Sequence, residues 1–205
     1  MSALGFYLAR TLRREAPLAA LSVPQAALLA AVAGKRVALV GNARALADTS
    51  FGAEIDAADL VIRINRAPMP DAQSHGTRTD WLALAVRLGP ADRARIGAGR
   101  YWWMSPKRKR LDYATATSPG FYLHPLADYA ALRAQLNAPP TTGAMLIDLM
   151  ARAGLTSLTL YGFDFFASLS LSGRRRADQV PHDFASEADW AAALMARDSR
   201  ITLRK

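Results

Sequence analysis

Residues 36–40 read RVALV and run without a break into Gly41. A short apolar run rich in β-branched residues and stopped by glycine reads as a strand buried on both faces. Such strands belong to parallel sheets covered by helices. The signature returns at Leu155–Tyr161 (LTSLTLY), which ends at Gly162, and at Asp59–Asn65 (DLVIRIN). In the latter, alternation puts Leu60, Ile62 and Ile64 on one face and Val61, Arg63 and Asn65 on the other. Trp81–Ala85, Tyr101–Met104, Phe121–Leu123 and Ile201–Leu203 read as further short strands. Helical stretches lie between them. Pro125–Leu136 carries Leu126, Tyr129 and Leu132 at helical spacing, and Gly143–Ala153 is apolar with Gly154 as its stop. Ser186-Glu187-Ala188-Asp189 reads as a capping box that opens a helix through Arg197. This alternation predicts an α/β fold: a single-domain, mostly parallel twisted sheet with helices on both faces. A ligand in such a fold sits in the crevice at the carboxyl ends of the strands. Residues 1–34 read as an N-terminal helical appendage and 35–205 as the α/β domain.

Composition excludes several classes. With 51% hydrophobic and 21% charged residues, the chain is not disordered. It has no cysteine, which removes disulfides, thiolate metal sites and cysteine nucleophiles. His75, His124 and His182 are too far apart for a zinc motif of the HExxH type, and Asp71, Asp80 and Asp164 share no metal spacing, so no metal is assigned. The net charge of +9 is carried mostly by arginine. That balance reflects either a GC-rich coding sequence or an anionic partner: nucleic acid, a membrane surface or a nucleotide. Residues 17–34 are apolar but interrupted by Pro17 and Pro24, so neither a spanning helix nor a signal peptide is expected. Met1–Arg14 reads as a basic amphipathic helix with Leu4, Leu8 and Leu12 on one side, packed on the domain surface in preference to lying on a membrane.

Four places carry the residue types that anion chemistry needs. Val40-Gly41-Asn42 ends a strand on glycine, where backbone N–H groups can approach a phosphate; an ordinary turn has the same look. Neither the GxGxxG nor the GxxxxGK[ST] pattern is present. Asn65, before Arg66-Ala67-Pro68, either bonds a ribose or phosphate or satisfies a turn. Thr141-Thr142-Gly143 opens an apolar helix, which makes it an anion site or a plain N-cap. His182 precedes a helix and is a candidate general base, or a structural histidine. Two long polar stretches, 105–119 and 167–181, read as binding loops. Trp102-Trp103 beside Lys107–Arg110 either stacks a base or ends a strand before a solvated basic loop.

In this order the four signals resemble the sialyltransferases, the family 29 inverting enzymes that use CMP-sialic acid. The large motif of that family resembles Val37–Asp80, its small motif Pro140–Phe163, and its terminal motif the pair His182 and Glu187. The resemblance spans residues 36–203 and identifies 35–205 as a catalytic domain of variant nucleotide-binding, GT-A-like fold. It implies that Gly41, Asn42 and Asn65 hold the phosphate and ribose of the donor. It implies that Thr141, Thr142 and Gly143 receive the CMP moiety, and that His182 deprotonates the acceptor hydroxyl. No cofactor and no metal are implied; the partners are a CMP-sugar donor and a glycan or glycolipid acceptor, with no nucleic acid.

The sequence departs from the family pattern at three points. No histidine lies between Gly143 and Pro181, where the family usually has one near the donor phosphate; Arg174 and Arg175 are the candidates to supply that charge. The cysteine pair and the membrane anchor of the lumenal members are missing, with Val37 at the first cysteine position. The expectation is therefore a short bacterial-type relative working in the cytoplasm, with possible peripheral contact at the inner face of the membrane. Two alternatives stay open: a nonenzymatic relative that binds nucleotide or RNA, and a nucleotide-sugar enzyme with another donor.

Overall fold

The computed structural model describes residues 1–164 and 182–204. Among them, seven strands form one sheet: β1 (Arg36–Val40), β2 (Leu60–Ile64), β3 (Trp81–Leu84), β4 (Arg100–Trp103), β5 (Tyr122–Leu123), β6 (Ser157–Tyr161) and β7 (Ile201–Arg204). The order is β5-β4-β3-β2-β1-β6-β7, and every neighbouring pair is parallel. The α/β parallel sheet expected from the sequence is present. The strand at Arg36–Val40 lies where the sequence puts it, and the others differ by one or two residues at their ends.

The helices are α1 (Ala3–Thr11), α2 (Glu15–Ala19), α3 (Gln25–Val32), α4 (Gly52–Asp56), α5 (Ala72–His75), α6 (Pro90–Ile96), α7 (Tyr113–Ala116), α8 (Leu126–Leu136), α9 (Thr142–Ala151) and α10 (Phe184–Arg197). They cover both faces. On one face Val37, Leu39, Ile62, Trp81, Trp102 and Leu160 meet α3, α8, α9 and α10 through Leu28, Leu132, Leu146 and Leu194. On the other, Leu82, Leu84, Trp103 and Phe121 meet α1, α2, α6 and α7, while Ala38, Val61 and Tyr161 meet α4. Adjacent strands put residues of one face side by side, as in the pairing of Val37 with Leu60 and Ile62 with Trp81. Trp102 and Trp103 therefore point to opposite faces, both buried, and neither is available to stack a base.

Buried polar groups fix the segment after β2. Arg63 is 1% exposed, and its guanidinium donates to the carbonyls of Arg78 (2.8 Å) and His75 (2.6 Å). Burial lowers its pKa to about 10, against the pull of Asp56, so it stays charged at neutral pH. Asp56 in turn accepts from the backbone N–H groups of Thr77 and Arg78. The aspartates also have architectural partners: Asp71 caps α5, and Asp80 accepts from the N–H of Val61 and pairs with Arg78.

Five expectations need correction. The helix near the N-terminus buries Phe6 and Ala9, whereas Leu4, Leu8 and Leu12 face outward. The Ser186–Asp189 capping box is absent: Asp183 is the N-cap, accepting from the N–H of Ser186 at 3.0 Å, so α10 starts three residues earlier. Gly154 does not end α9. The helix stops at Ala151, and the Arg200 guanidinium satisfies the carbonyls of Ala151 (3.0 Å) and Ala153 (2.8 Å) past its end. Residues 105–119 are no open loop; they fold into a 3₁₀ turn (Arg108–Arg110) and α7, with Leu111, Thr115 and Ala116 buried. Arg108 is buried too, held by Glu15 at 2.6 Å and by the carbonyl of His124. Leu126 is exposed, and α8 packs through Leu132 and Leu136 instead.

Arg63→Met removes the guanidinium and leaves two carbonyls without donors, so it is expected to cost roughly 3 kcal/mol. Urea denaturation measures this; a loss below about 1 kcal/mol would mean that the 71–80 segment is held without Arg63.

Candidate active site

From β1 the chain steps outward through β2 to β5, then crosses back to lay β6 on the other side of β1. The carboxyl ends of β1 and β6 therefore flank the switch point of the sheet, where parallel α/β folds bind ligands. Gly41 and Asn42 leave β1 there, and Gly162 and Phe163 leave β6. The two turns are stitched together: the N–H of Gly41 donates to Tyr161 O (2.7 Å), and that of Ala43 to Gly162 O (3.1 Å). A side chain at residue 41 would land on the carbonyl of Gly162 and against the Phe163 ring. Gly162 itself has φ +65°, the left-handed region that favours glycine.

Phe163 joins this crossing to α9. A Cβ at Gly143 would sit 2.7 Å from the ring edge of Phe163, so the ring lies over the first turn of that helix. Thr141 is the N-cap, its hydroxyl accepting from the N–H of Ala144 at 3.0 Å. The N–H groups of Thr142 and Gly143 belong to the first turn, which no carbonyl of the helix can reach. They and the positive end of the helix dipole form the electropositive element of the site.

On the β2 side, the amide of Asn42 donates to Ile64 O at 3.3 Å. The next residue, Asn65, has φ +55°, and its Oδ1 accepts from the N–H of Ala85 at 2.8 Å. Of the two readings of Asn65, the turn is the one seen: its side chain ties the end of β2 to the end of β3.

His182 and α10 close the other side. The Nδ1 of His182 lies 2.7 Å from Pro139 O. A carbonyl only accepts, so Nδ1 carries a proton, which leaves Nε2 as the ring nitrogen that can exchange one with a ligand. His75 and His124 are buried and held neutral by that burial, which lowers the pKa of His124 to about 4; His182 is the half-buried one. One turn into α10, Glu187 is 3% exposed and reaches Thr141 twice, accepting from its N–H (2.6 Å) and from its hydroxyl (2.8 Å). Burial raises its pKa to about 7, and the bonds from Thr141 oppose that rise.

The structure thus brings Gly41, Asn42, Asn65, Thr141, Thr142, Gly143 and His182 to one end of the sheet through a continuous run of contacts. Arg174 and Arg175 lie outside the described residues, as does the stretch 167–181. The sequence reading did not single out Phe163 or the Pro139 carbonyl. The signals were a ring directly after the strand-ending glycine and a Pro-Pro step before the helix cap. The spacing of Glu187 from His182 is visible in the sequence, whereas its reach to Thr141 is not.

The family model for glycosyltransferase family 29 (sialyltransferase) matches residues 14–87. No curated protein matches the chain. Among solved structures, a mammalian sialyltransferase in complex with Gal-beta-1-3GalNAc-ortho-nitrophenol aligns with a TM-score of 0.60 at 16% identity, covering 99% of this chain and 85% of that one. The sialyltransferase CstII from Campylobacter jejuni, in complex with the substrate analogue CMP-3FNeuAc, aligns with a TM-score of 0.54 at 12% identity, covering 82% and 81%. A singly substituted variant of the sialyltransferase Cst-II, in complex with CMP, gives 0.56 at 14% identity, covering 82% and 80%. At these identities the structural likeness is one of fold.

The site's own chemistry sets a test. Glu187 has a folded-state pKa above its ordinary value of 4.5. Folding therefore favours the protonated form: its contribution is complete below pH 4.5 and is lost as pH rises through about 7. Glu187→Gln keeps an acceptor for the Thr141 N–H and cannot ionise. Its unfolding free energy is expected to fall less than that of the native chain between pH 5 and 8, by up to about 3 kcal/mol. Parallel stability–pH curves for the two proteins would contradict this.

Proposed function

We infer that this chain is a glycosyltransferase of the family 29 (sialyltransferase) kind, a reading supported by the matched segment 14–87 and by the fold: it transfers sialic acid, or a related acidic sugar, from a CMP donor to a hydroxyl of a glycan, with inversion and without a metal. The observation that carries this reading is the joining of His182 and Glu187 to the segment that opens α9, at Pro139 and Thr141.

Departure of CMP builds negative charge on the phosphate while the sugar gains oxocarbenium character. Preorganised donors lower the barrier most when they are already aimed at that charge. The first-turn N–H groups of Thr142 and Gly143 and the turn at Gly41-Asn42 suit the phosphate. His182 suits the role of general base: with Nδ1–H committed to Pro139 O, its Nε2 takes the acceptor proton as the oxygen attacks the anomeric carbon. The acceptor hydroxyl loses its proton to the imidazole, the new bond forms from its oxygen, and the bond to the phosphate oxygen breaks on the opposite face. The complexes of the similar enzymes with CMP, CMP-3FNeuAc and a glycoside of Gal-beta-1-3GalNAc support a nucleotide-sugar donor and a glycan acceptor.

A thermal-shift panel of CMP, UDP, NAD and S-adenosylmethionine tests the donor class, because a specific ligand raises the unfolding midpoint by mass action. A rise with CMP alone is expected; a rise with UDP and none with CMP points to another nucleotide sugar. Transfer from CMP-sialic acid and CMP-Kdo to mixed glycans, followed by mass spectrometry with and without EDTA, tests the reaction. His182→Ala is expected to lower transfer by roughly 10²–10⁴-fold while the CMP-induced thermal shift persists. Unchanged turnover in that variant would remove His182 from the reaction.

A further inference from the structure

The helix α1 has two apolar faces and only one of them is covered. Phe6 (0% exposed) and Ala9 pack into the cluster around Leu82, Trp103 and Phe121. The opposite side carries Leu4 (81% exposed), Leu8 (56%) and Leu12 (52%), flanked by Met1 and Tyr7. Among the described residues, every exposed large apolar side chain except Leu126 belongs to this one helix and its ends. Leu4, Leu8 and Leu12 recur every fourth residue, so they form a single stripe. An uncovered stripe of this kind marks a surface that meets something else.

The charges around the stripe narrow what that is. Arg13 and Arg14 follow the helix directly and are exposed. The 3₁₀ turn at Arg108–Arg110 lies beside α1, joined to it by the Arg10 guanidinium, which donates to Leu111 O at 2.8 Å. That turn and its flank expose Lys107, Lys109 and Arg110. The nearby acids are already engaged, Glu15 by Arg108 at 2.6 Å and Asp112 by Arg93 at 3.3 Å, so they do not offset these cations. Apolar side chains ringed by cations complement a surface that is apolar beneath and anionic at its rim, which describes a bilayer of anionic phospholipid. A second copy of this chain would bring the same cations against one another, and RNA would leave the leucines in water.

We propose that the outward face of α1 docks this protein on anionic lipid bilayers, its Leu4-Leu8-Leu12 stripe entering the headgroup region and Arg13, Arg14 and the 107–110 turn binding lipid phosphates. The docking does not depend on the transfer reaction. It would hold the protein on the membrane surface whatever acceptor it uses.

Co-sedimentation of the full chain with vesicles tests this, using phosphatidylcholine alone and an equal mixture with phosphatidylglycerol. The native protein is expected to partition to the mixed vesicles and to be released by high salt. Leu8→Glu is expected to lower partitioning at least tenfold with an unchanged thermal unfolding midpoint, since Leu8 is already exposed. Arg13→Ala combined with Arg14→Ala is expected to weaken it by about fivefold per cation removed. Leu126→Glu, an exposed leucine outside the stripe, is expected to change nothing. The proposal is overturned if the native chain stays in the supernatant with both vesicles, or if Leu8→Glu binds as the native chain does. It is equally overturned if Leu8→Glu dissolves a dimer seen by size exclusion in a chain that ignores vesicles.

Discussion

The carbonyl oxygen of Gly162 occupies the place where residue 41 would carry a side chain. That close approach lets the turns leaving β1 and β6 share hydrogen bonds, and it leaves Phe163 room to lie between the β1 turn and the first turn of α9. A side chain at either Gly41 or Gly143 would press on this ring, so the strand ends and the helix end are positioned as one object. The backbone donors that make the site attractive to an anion depend on this crossing. They come from turns and a helix terminus, not from long side chains, and hold their geometry before a ligand arrives.

A second layer of positioning comes from α10. Glu187 sits in a place that disfavours its charge, yet it accepts two hydrogen bonds from Thr141. Thr141 at the same time caps α9 through its hydroxyl. One threonine therefore links the opening of one helix to the side of another. Five residues before Glu187, His182 is attached to the carbonyl of Pro139 and so keeps one tautomer. The imidazole and the helix end cannot drift apart without breaking bonds at both Pro139 and Thr141.

Much of this fold was legible because buried parallel strands leave a strong trace: RVALV before Gly41 and LTSLTLY before Gly162 admit few other readings. The short helices α4 to α7 left no such trace, because four to seven residues hold too little periodicity to register. The caps misled for a physical reason. Ser186 and Asp183 are both good cap residues, and only the bond from the Ser186 N–H to Asp183 decides between them. The N-terminal helix misled because both its sides are apolar, so spacing alone cannot say which side turns inward. Within the site, Gly41, Asn42 and Thr141 to Gly143 were legible as local signals. The contacts of Phe163, Pro139 and Glu187 join parts distant in sequence, which no local pattern encodes.

The middle of the sheet has an order of assembly written into it. β1 meets β2 soon after both leave the ribosome, but its other neighbour, β6, begins at Ser157, and the glutamate that secures Thr141 comes later still, at position 187. During synthesis, the β6-facing edge of β1 has no partner until Ser157–Tyr161 has emerged. Open strand edges recruit whatever strand comes first. A nascent chain of this protein is consequently exposed to mispairing between the synthesis of β1 and that of β6, and is without a complete site until α10 has docked.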